Sequence, residues 1–260
     1  MNRLTELFQS KSTGILNVYF TAGYPTLEST GVIIHNLAEA GADLIEIGMP
    51  YSDPMADGET IQQSSMHALK NGMTLDVLFA QITAARQGTT IPLVLMGYYN
   101  QVLQYGPERF VAAAKAAGVD GLILPDLPIV EYEAEFRHLA EAQDLQVTFL
   151  ITPQTSEERI RKIGAISTGF LYVVSSSSIT GKSGEITPEQ EAYFARVAAL
   201  NLPQPRLIGF GISDARSFQK ACAYANGAII GSAFIRALKD TEDVAATTTA
   251  FVESILEPVL

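Results

Sequence analysis

The chain has 260 residues, 47% of them hydrophobic, and a formal net charge of −11. That is enough for a sizeable core in one domain, and too acidic, with no Lys/Arg-rich run, to favour nucleic acid or an anionic membrane surface. The single cysteine, Cys222, excludes an intrachain disulfide and makes the cytosol the simplest compartment.

The N-terminal "MNRLTELFQSK" lacks the apolar core of a signal peptide and reads as a short amphipathic helix with Leu4, Leu7 and Phe8 on one side. No apolar run further on approaches the ~20 residues of a membrane-spanning helix. Short apolar runs follow at 15–21, 43–48, 92–96, 120–125, 146–152, 169–175, 206–210 and 227–231, eight strand candidates in all. Between them, segments at 27–40, 60–71, 74–87, 107–117, 130–142, 156–163, 189–200 and 214–224 carry apolar residues at helical spacing, with a last helix near 242–256. Thr26, Thr74, Ser156 and Thr187-Pro188 stand where helix caps belong.

Near-continuous apolar strands alternating with helices imply a parallel sheet covered on both faces. Eight such units predict a closed (β/α)8 TIM barrel over 1–260, a single α/β domain with an N-terminal helix and an extra loop and helix after the second strand. In a barrel the chemistry sits at the C-terminal strand ends and in the loops that follow.

Glu46 interrupts the apolar second strand, on the same face as Leu44 and Gly48. A buried carboxyl there is either a proton-transfer group with a raised pKa or a structural Glu with a hydroxyl partner; the strand alone leaves both open. Asp53 and Asp57 lie in the loop directly after it, either as turn-formers beside Pro54 and Gly58 or as rim carboxylates. Met96, Tyr98 and Tyr99 end the third strand, where they line a pocket or pack between helices, packing being the better reading for Tyr99. Asp126, between two prolines after the fourth strand, is a loop brace or a site residue. The Ser/Gly-rich stretch 175–187 after the sixth strand suits a lid, and Tyr172 just before it is core or pocket wall. "GFGIS" and "GAIIGSAF" close the seventh and eighth strands, where Gly211, Gly231 and Ser232 offer backbone amides to a phosphate.

The three histidines, His35, His67 and His138, fall in separate helix candidates, so no metal site is expected. No GxGxxG follows a strand and no Ser-His-Asp arrangement suggests itself. The residues alone thus point to a phosphate-binding barrel doing acid–base chemistry with carboxylates on a substrate that has an apolar part.

"EIGMPYSDPMADGETIQ" resembles the signature of the tryptophan synthase alpha chain family, and "FTAGYP", "LMGYYN", "LPDLP", "PQTSEERI", "ITG", "GFGIS" and "GSAF" match it in order along nearly the whole chain. The resemblance implies a lyase that splits indole-3-glycerol phosphate, by retro-aldol cleavage, into indole and glyceraldehyde 3-phosphate. It implies Glu46 as principal acid–base residue and Asp57 as acceptor of the indole N–H. It places Tyr19, Met96, Tyr98, Asp126, Tyr172 and Phe210 around the substrate, Thr180 against Asp57, and Gly181, Gly211, Gly231 and Ser232 on the phosphate. No metal or cofactor is implied in this chain. The implied partner is a pyridoxal-phosphate beta chain, in an α2β2 heterotetramer, contacted partly through Pro50–Asp57. Ser176 and Ser178 depart from many relatives, which predicts altered lid dynamics. A sugar-phosphate isomerase or epimerase would share the glycine turns but has no use for "PYSDPMADG", and a non-catalytic regulatory subunit has no use for Glu46.

Overall fold

The computed structural model describes residues 1–54, 57–175, 186–209 and 211–257. In chain order, α1 (Arg3–Ser10) leads into β1 (Ile15–Thr21), α2 (Ser29–Ala40), β2 (Leu44–Gly48), α3 (Glu59–Lys70), α4 (Leu75–Ala85) and β3 (Leu93–Met96). Next come α5 (Tyr99–Tyr105), α6 (Pro107–Ala117) and β4 (Gly121–Ile123). One helical run then opens as α7 (Ile129–Glu131), widens to π geometry at Tyr132–Phe136 and ends as α8 (Arg137–Ala142). The remainder is β5 (Gln146–Ile151), α9 (Glu157–Ile166), β6 (Leu171–Val174), α10 (Pro188–Ala199), β7 (Arg206–Gly209), α11 (Ala215–Cys222), β8 (Gly227–Ile230), α12 (Ser232–Ala237) and α13 (Val244–Leu256).

The strands pair in parallel in sequence order, and β8 returns to β1 with Gly227 opposite Ile15, which closes the expected barrel. Helices cover the outside, so β1, β2, β3 and β6 are buried on both faces. The expected caps at Thr74, Ser156 and Thr187 each accept a backbone N–H three residues on. Thr26 does not cap: its hydroxyl pairs with that of Ser29 at 2.9 Å, and α2 begins at Ser29, two residues later than expected. Helix α5 was not expected. Its seven residues are stopped by Gly106; at its start Gln101 accepts the Tyr98 amide at 3.0 Å, and a side chain from another loop accepts the Tyr99 amide.

Helix α1 closes the N-terminal end of the barrel. Leu4 is 1% exposed and lies against the starts of β4 and β6, where a Cβ on Gly121 or Gly169 would touch its methyl group. Asn2 donates to the carbonyls of Asp120 and Asp144 at 2.9 and 2.7 Å, tying the helix down. The other end of the barrel, where β1, β2, β6 and β7 finish, is left for chemistry.

Candidate active site

Register carries the interior face from strand to strand. Tyr19 on β1 lies opposite Glu46 on β2, and Gly48 lies opposite Met96 on β3. Residues opposed in this way share a face, so Tyr19, Glu46, Gly48 and Met96 point the same way. Two tyrosine rings occupy space that a larger residue would fill. A Cβ on Gly48 would run into the Tyr19 hydroxyl, and one on Gly209 would come within 2.5 Å of the Tyr172 hydroxyl.

Glu46 is 0% exposed. Its Oε2 accepts a hydrogen bond from Asn17 Nδ2 at 3.1 Å, whereas Oε1 has no hydrogen-bond partner among the described residues. Burial pushes its carboxyl up to about 8; the Asn17 amide opposes the shift and the Asp57 charge adds to it. Asp57 sits on the loop above, where its Oδ2 accepts from the Tyr98 hydroxyl at 3.1 Å. Burial raises Asp57 to about 6, held back by that hydrogen bond. Tyr19 and Tyr172 are pushed well above the usual phenol range, first by burial and then by the nearby charges of Asp57 and Glu46. Both hydroxyls therefore stay neutral while the two carboxyls change charge on either side of neutral pH.

The loop holding Asp57 is braced. Asp57 N–H donates to the Pro54 carbonyl at 3.1 Å, and Gln62 Nε2 donates to the Asp57 carbonyl at 2.8 Å. On the other side Gln101 on α5 donates to the Pro50 carbonyl at 2.9 Å, and the Tyr51 ring stacks on Tyr98 at 5.0 Å. Helix α5 thus fixes both the start of the loop and the tyrosine that holds Asp57. Asp53, by contrast, is exposed and accepts from its neighbour Ser52 at 2.6 Å, as a turn residue does.

The glycine turns lie nearby. A Cβ on Gly231 would sit 3.1 Å from the Tyr19 ring, so one ring spans from Gly231 to Gly48. Gly231 precedes α12, which begins at Ser232 and leaves its first backbone amides without helical partners. Gly211 has φ +80, a turn that only glycine makes without strain, and the space beside it reaches Ser175 Oγ at 3.7 Å. Thr180, Gly181 and Phe210 lie outside the described residues, as do Ser176 and Ser178.

Asp126 is exposed, and its Oδ1 accepts the Tyr99 N–H at 2.8 Å, so it braces the start of α5. It also lines a cleft of about 210 Å³ with Leu124, Phe149, Leu150 and Arg159, which includes neither Glu46 nor Asp57. Tyr99 packs its ring edge-on against Phe136, the packing role expected of it. Among the described residues no three His, Cys, Asp or Glu side chains are grouped to hold a metal ion, and no helix is long and apolar enough to cross a membrane. The residue that sequence reasoning missed is Asn17. It is buried on the interior face of β1, and the signal for it was a lone amide in "ILNVYFT", two positions before Tyr19.

A closed parallel barrel with a raised, buried carboxyl inside it, a second carboxyl on the loop above and glycine turns at its last two strands has the frame of an α/β-barrel enzyme. The model of the tryptophan synthase alpha chain family matches residues 6–257. A tryptophan synthase alpha chain of Parabacteroides distasonis is 49% identical over 257 residues, covering 99% of this chain and 98% of that protein. One from Flavobacterium johnsoniae is 52% identical, covering 93% and 95%. Among solved structures, the tryptophan synthase complex of Pyrococcus furiosus superimposes with a TM-score of 0.86 at 35% identity, covering 95% of this chain and 99% of that chain. Tryptophan synthase of Mycobacterium tuberculosis superimposes with a TM-score of 0.87 at 32% identity, covering 98% and 96%. The chain belongs to the tryptophan synthase alpha chain family. It is a lyase of tryptophan biosynthesis that cleaves indole-3-glycerol phosphate to indole and glyceraldehyde 3-phosphate.

Proposed function

We propose that Glu46 carries the proton transfers of this cleavage and that Asp57 stabilises the charge they create. Breaking the bond between indole C3 and the glycerol carbon requires a proton on C3 and removal of one from the adjacent hydroxyl. A carboxyl raised to about 8 is largely protonated at neutral pH and can donate to C3. Protonation leaves positive charge on the ring nitrogen, and Asp57, ionised above about 6, offers an acceptor to the N–H. Glu46, now a carboxylate, takes the hydroxyl proton as the carbon–carbon bond breaks and the aldehyde forms. One residue gives a proton and recovers one, so the cycle closes without net proton uptake.

The remaining assignments follow from their neighbours. Tyr19, Met96, Tyr98 and Tyr172 enclose the ring between the carboxylates. Gly211, Gly231 and Ser232 hold the phosphate at the far edge of Tyr19. Asp126 acts through the α5 start that positions Tyr98. By family resemblance Thr180, Gly181 and Phe210 complete the site. The same resemblance gives the chain a beta-chain partner in an α2β2 assembly, which receives the indole and carries the pyridoxal phosphate, with the 50–57 loop at the contact. A cytoplasmic location and a single barrel domain over 1–260 fit this reading.

The observation that carries the proposal is the Glu46 carboxyl: fully buried, raised toward neutrality, with Oε1 unclaimed by any described group. The test is indole release from indole-3-glycerol phosphate by Glu46→Gln, which keeps shape and loses the proton. A loss of about 10²-fold or more in kcat is expected from removal of the acid–base group. Indole release near the parent rate would refute the role.

A further inference from the structure

Asn17 and Glu46 are both 0% exposed, on adjacent strands of the barrel interior. The only hydrogen bond to either Glu46 oxygen from a described residue is the one Asn17 Nδ2 donates to Oε2. An amide nitrogen is a donor alone, so Oε2 presents a lone pair to it. The unprotonated, carbonyl-type oxygen of a carboxylic acid is the stronger acceptor, so this 3.1 Å contact favours the acid proton on the other oxygen.

From this geometry we infer that Asn17 is a positioning residue for the reaction: its amide holds Oε2 as an acceptor and so places the transferable proton on Oε1, the oxygen left for substrate. The inference rests on the proposed role of Glu46 and adds which oxygen does the work. Once the proton has gone to the ring, the same N–H supports the carboxylate and keeps the base form reachable in a buried site. The titratable groups that act on Glu46 or are acted on by its charge are Asp57 from the loop after β2, Tyr19 from β1 and Tyr172 from β6. Tyr19 and Tyr172 are raised well above the usual phenol range and stay neutral, so Glu46 and Asp57 set the pH response. Among the described residues Asn17 Oδ1 has no hydrogen-bond partner either, so the Glu46 contact is the one described bond that sets which way the amide faces.

The experiment measures kcat, KM and the pH profile of indole release by the full chain and by Asn17→Leu, which keeps the branched shape and heavy-atom count without a donor. Loss of a donor to a buried carboxylate raises its pKa, so the basic limb of the profile moves up by about one unit or more. At the same time kcat falls about tenfold with KM little changed. A basic limb that stays in place, or moves down because the amide in fact accepts from Oε2–H, overturns the inference. So does a parallel change in kcat and KM with an unshifted limb, the result of a merely structural role. Asn17→Asp carries the same test if Asn17→Leu fails to fold, since a second carboxyl sharing one proton also moves the limb upward and an unmoved limb refutes the role. Glu46→Gln, run alongside, separates the two readings. If it is inactive while Asn17→Leu behaves like the parent, only the positioning role fails; if it is active, the Glu46 role fails first.

Discussion

A group that must donate a proton and then take one back works only when both its forms lie within reach of the working pH. Burial alone would leave Glu46 neutral, and the Asn17 donor offsets part of that shift. In the proposed cycle the active arrangement has Glu46 protonated and Asp57 ionised. Asp57 ionises as pH rises through about 6, and Glu46 loses its proton through about 8. The value of kcat/KM is therefore expected to rise through the first, fall through the second, and peak between them. Asp57→Asn should abolish the acid limb, lower kcat about 10²-fold or more, and pull the basic limb down, because the Asp57 charge helps hold the Glu46 proton in place. Initial rates of indole release across the pH range decide it, and an unmoved basic limb would rule out charge coupling between the two. Glu46 was legible in the sequence because a carboxylate in an apolar strand is costly unless it is used. Asn17 was not, because a neutral amide in a strand is as readily explained by ordinary hydrogen bonding, and its partner is 29 residues away. Asp126 stayed ambiguous for a related reason: its partner is a backbone N–H, which leaves no mark in the sequence.

At the scale of elements, the eight strands and most helices were readable from periodicity, since each buries one stripe or both faces against the same core. Strand ends were less so: the fourth strand candidate covered 120–125, and β4 pairs only over Gly121–Ile123. Short α5 escaped notice because its own cap, Gln101 on the Tyr98 amide, lacks a Ser, Thr, Asp or Asn signature, and the rest of its support comes from outside. Asp126 satisfies its Tyr99 amide and Gln101 ties it to Pro50, both contacts that form only once the barrel has brought the loops together. The π turn at Tyr132–Phe136 likewise follows from packing rather than spacing, with Tyr132 and Phe136 both buried. The dependence of α5 on Asp126 makes a prediction at this scale. Asp126→Ala removes a helix-start acceptor, which costs about 1 kcal/mol, and it frees the segment that aims Tyr98 at Asp57. A small fall in thermal midpoint should accompany a loss of kcat larger than that destabilisation explains in the folded enzyme. If activity per folded molecule is unchanged, the brace serves stability alone.

For the molecule as a whole, the two ends of the barrel divide the work, and the end away from the site depends on one carboxylate. Asp120 accepts from Arg86 Nη2 at 2.6 Å, from Arg3 Nη1 at 2.9 Å and from the Leu93 amide at 2.9 Å, while its own carbonyl takes Asn2. It joins α1, the end of α4, β3 and β4 at the barrel floor. Arg86 is 9% exposed at its side chain, and burial lowers it to about 10 with Asp120 opposing the shift. Arg86 also donates to the carbonyls of Gly118 and Ile91, so its position is fixed and it cannot follow a lost partner into water. Asp120→Asn keeps the volume and removes the charge, leaving a cation buried without a counter-ion, a change that costs about 3–5 kcal/mol. The denaturant midpoint should fall accordingly, and α1 should exchange its amide hydrogens faster because two of its anchors, Asn2 and Arg3, meet at this residue. Activity of the folded enzyme should hold, because Asp120 touches neither Glu46 nor Asp57: its partners are Arg3, Arg86, Asn2 and the Leu93 amide at the barrel floor. Asp120→Asn with full stability would mean that neutral hydrogen bonds suffice at the floor. Asp120→Asn with normal stability but poor turnover would mean instead that the floor and the site are coupled through the strands between them.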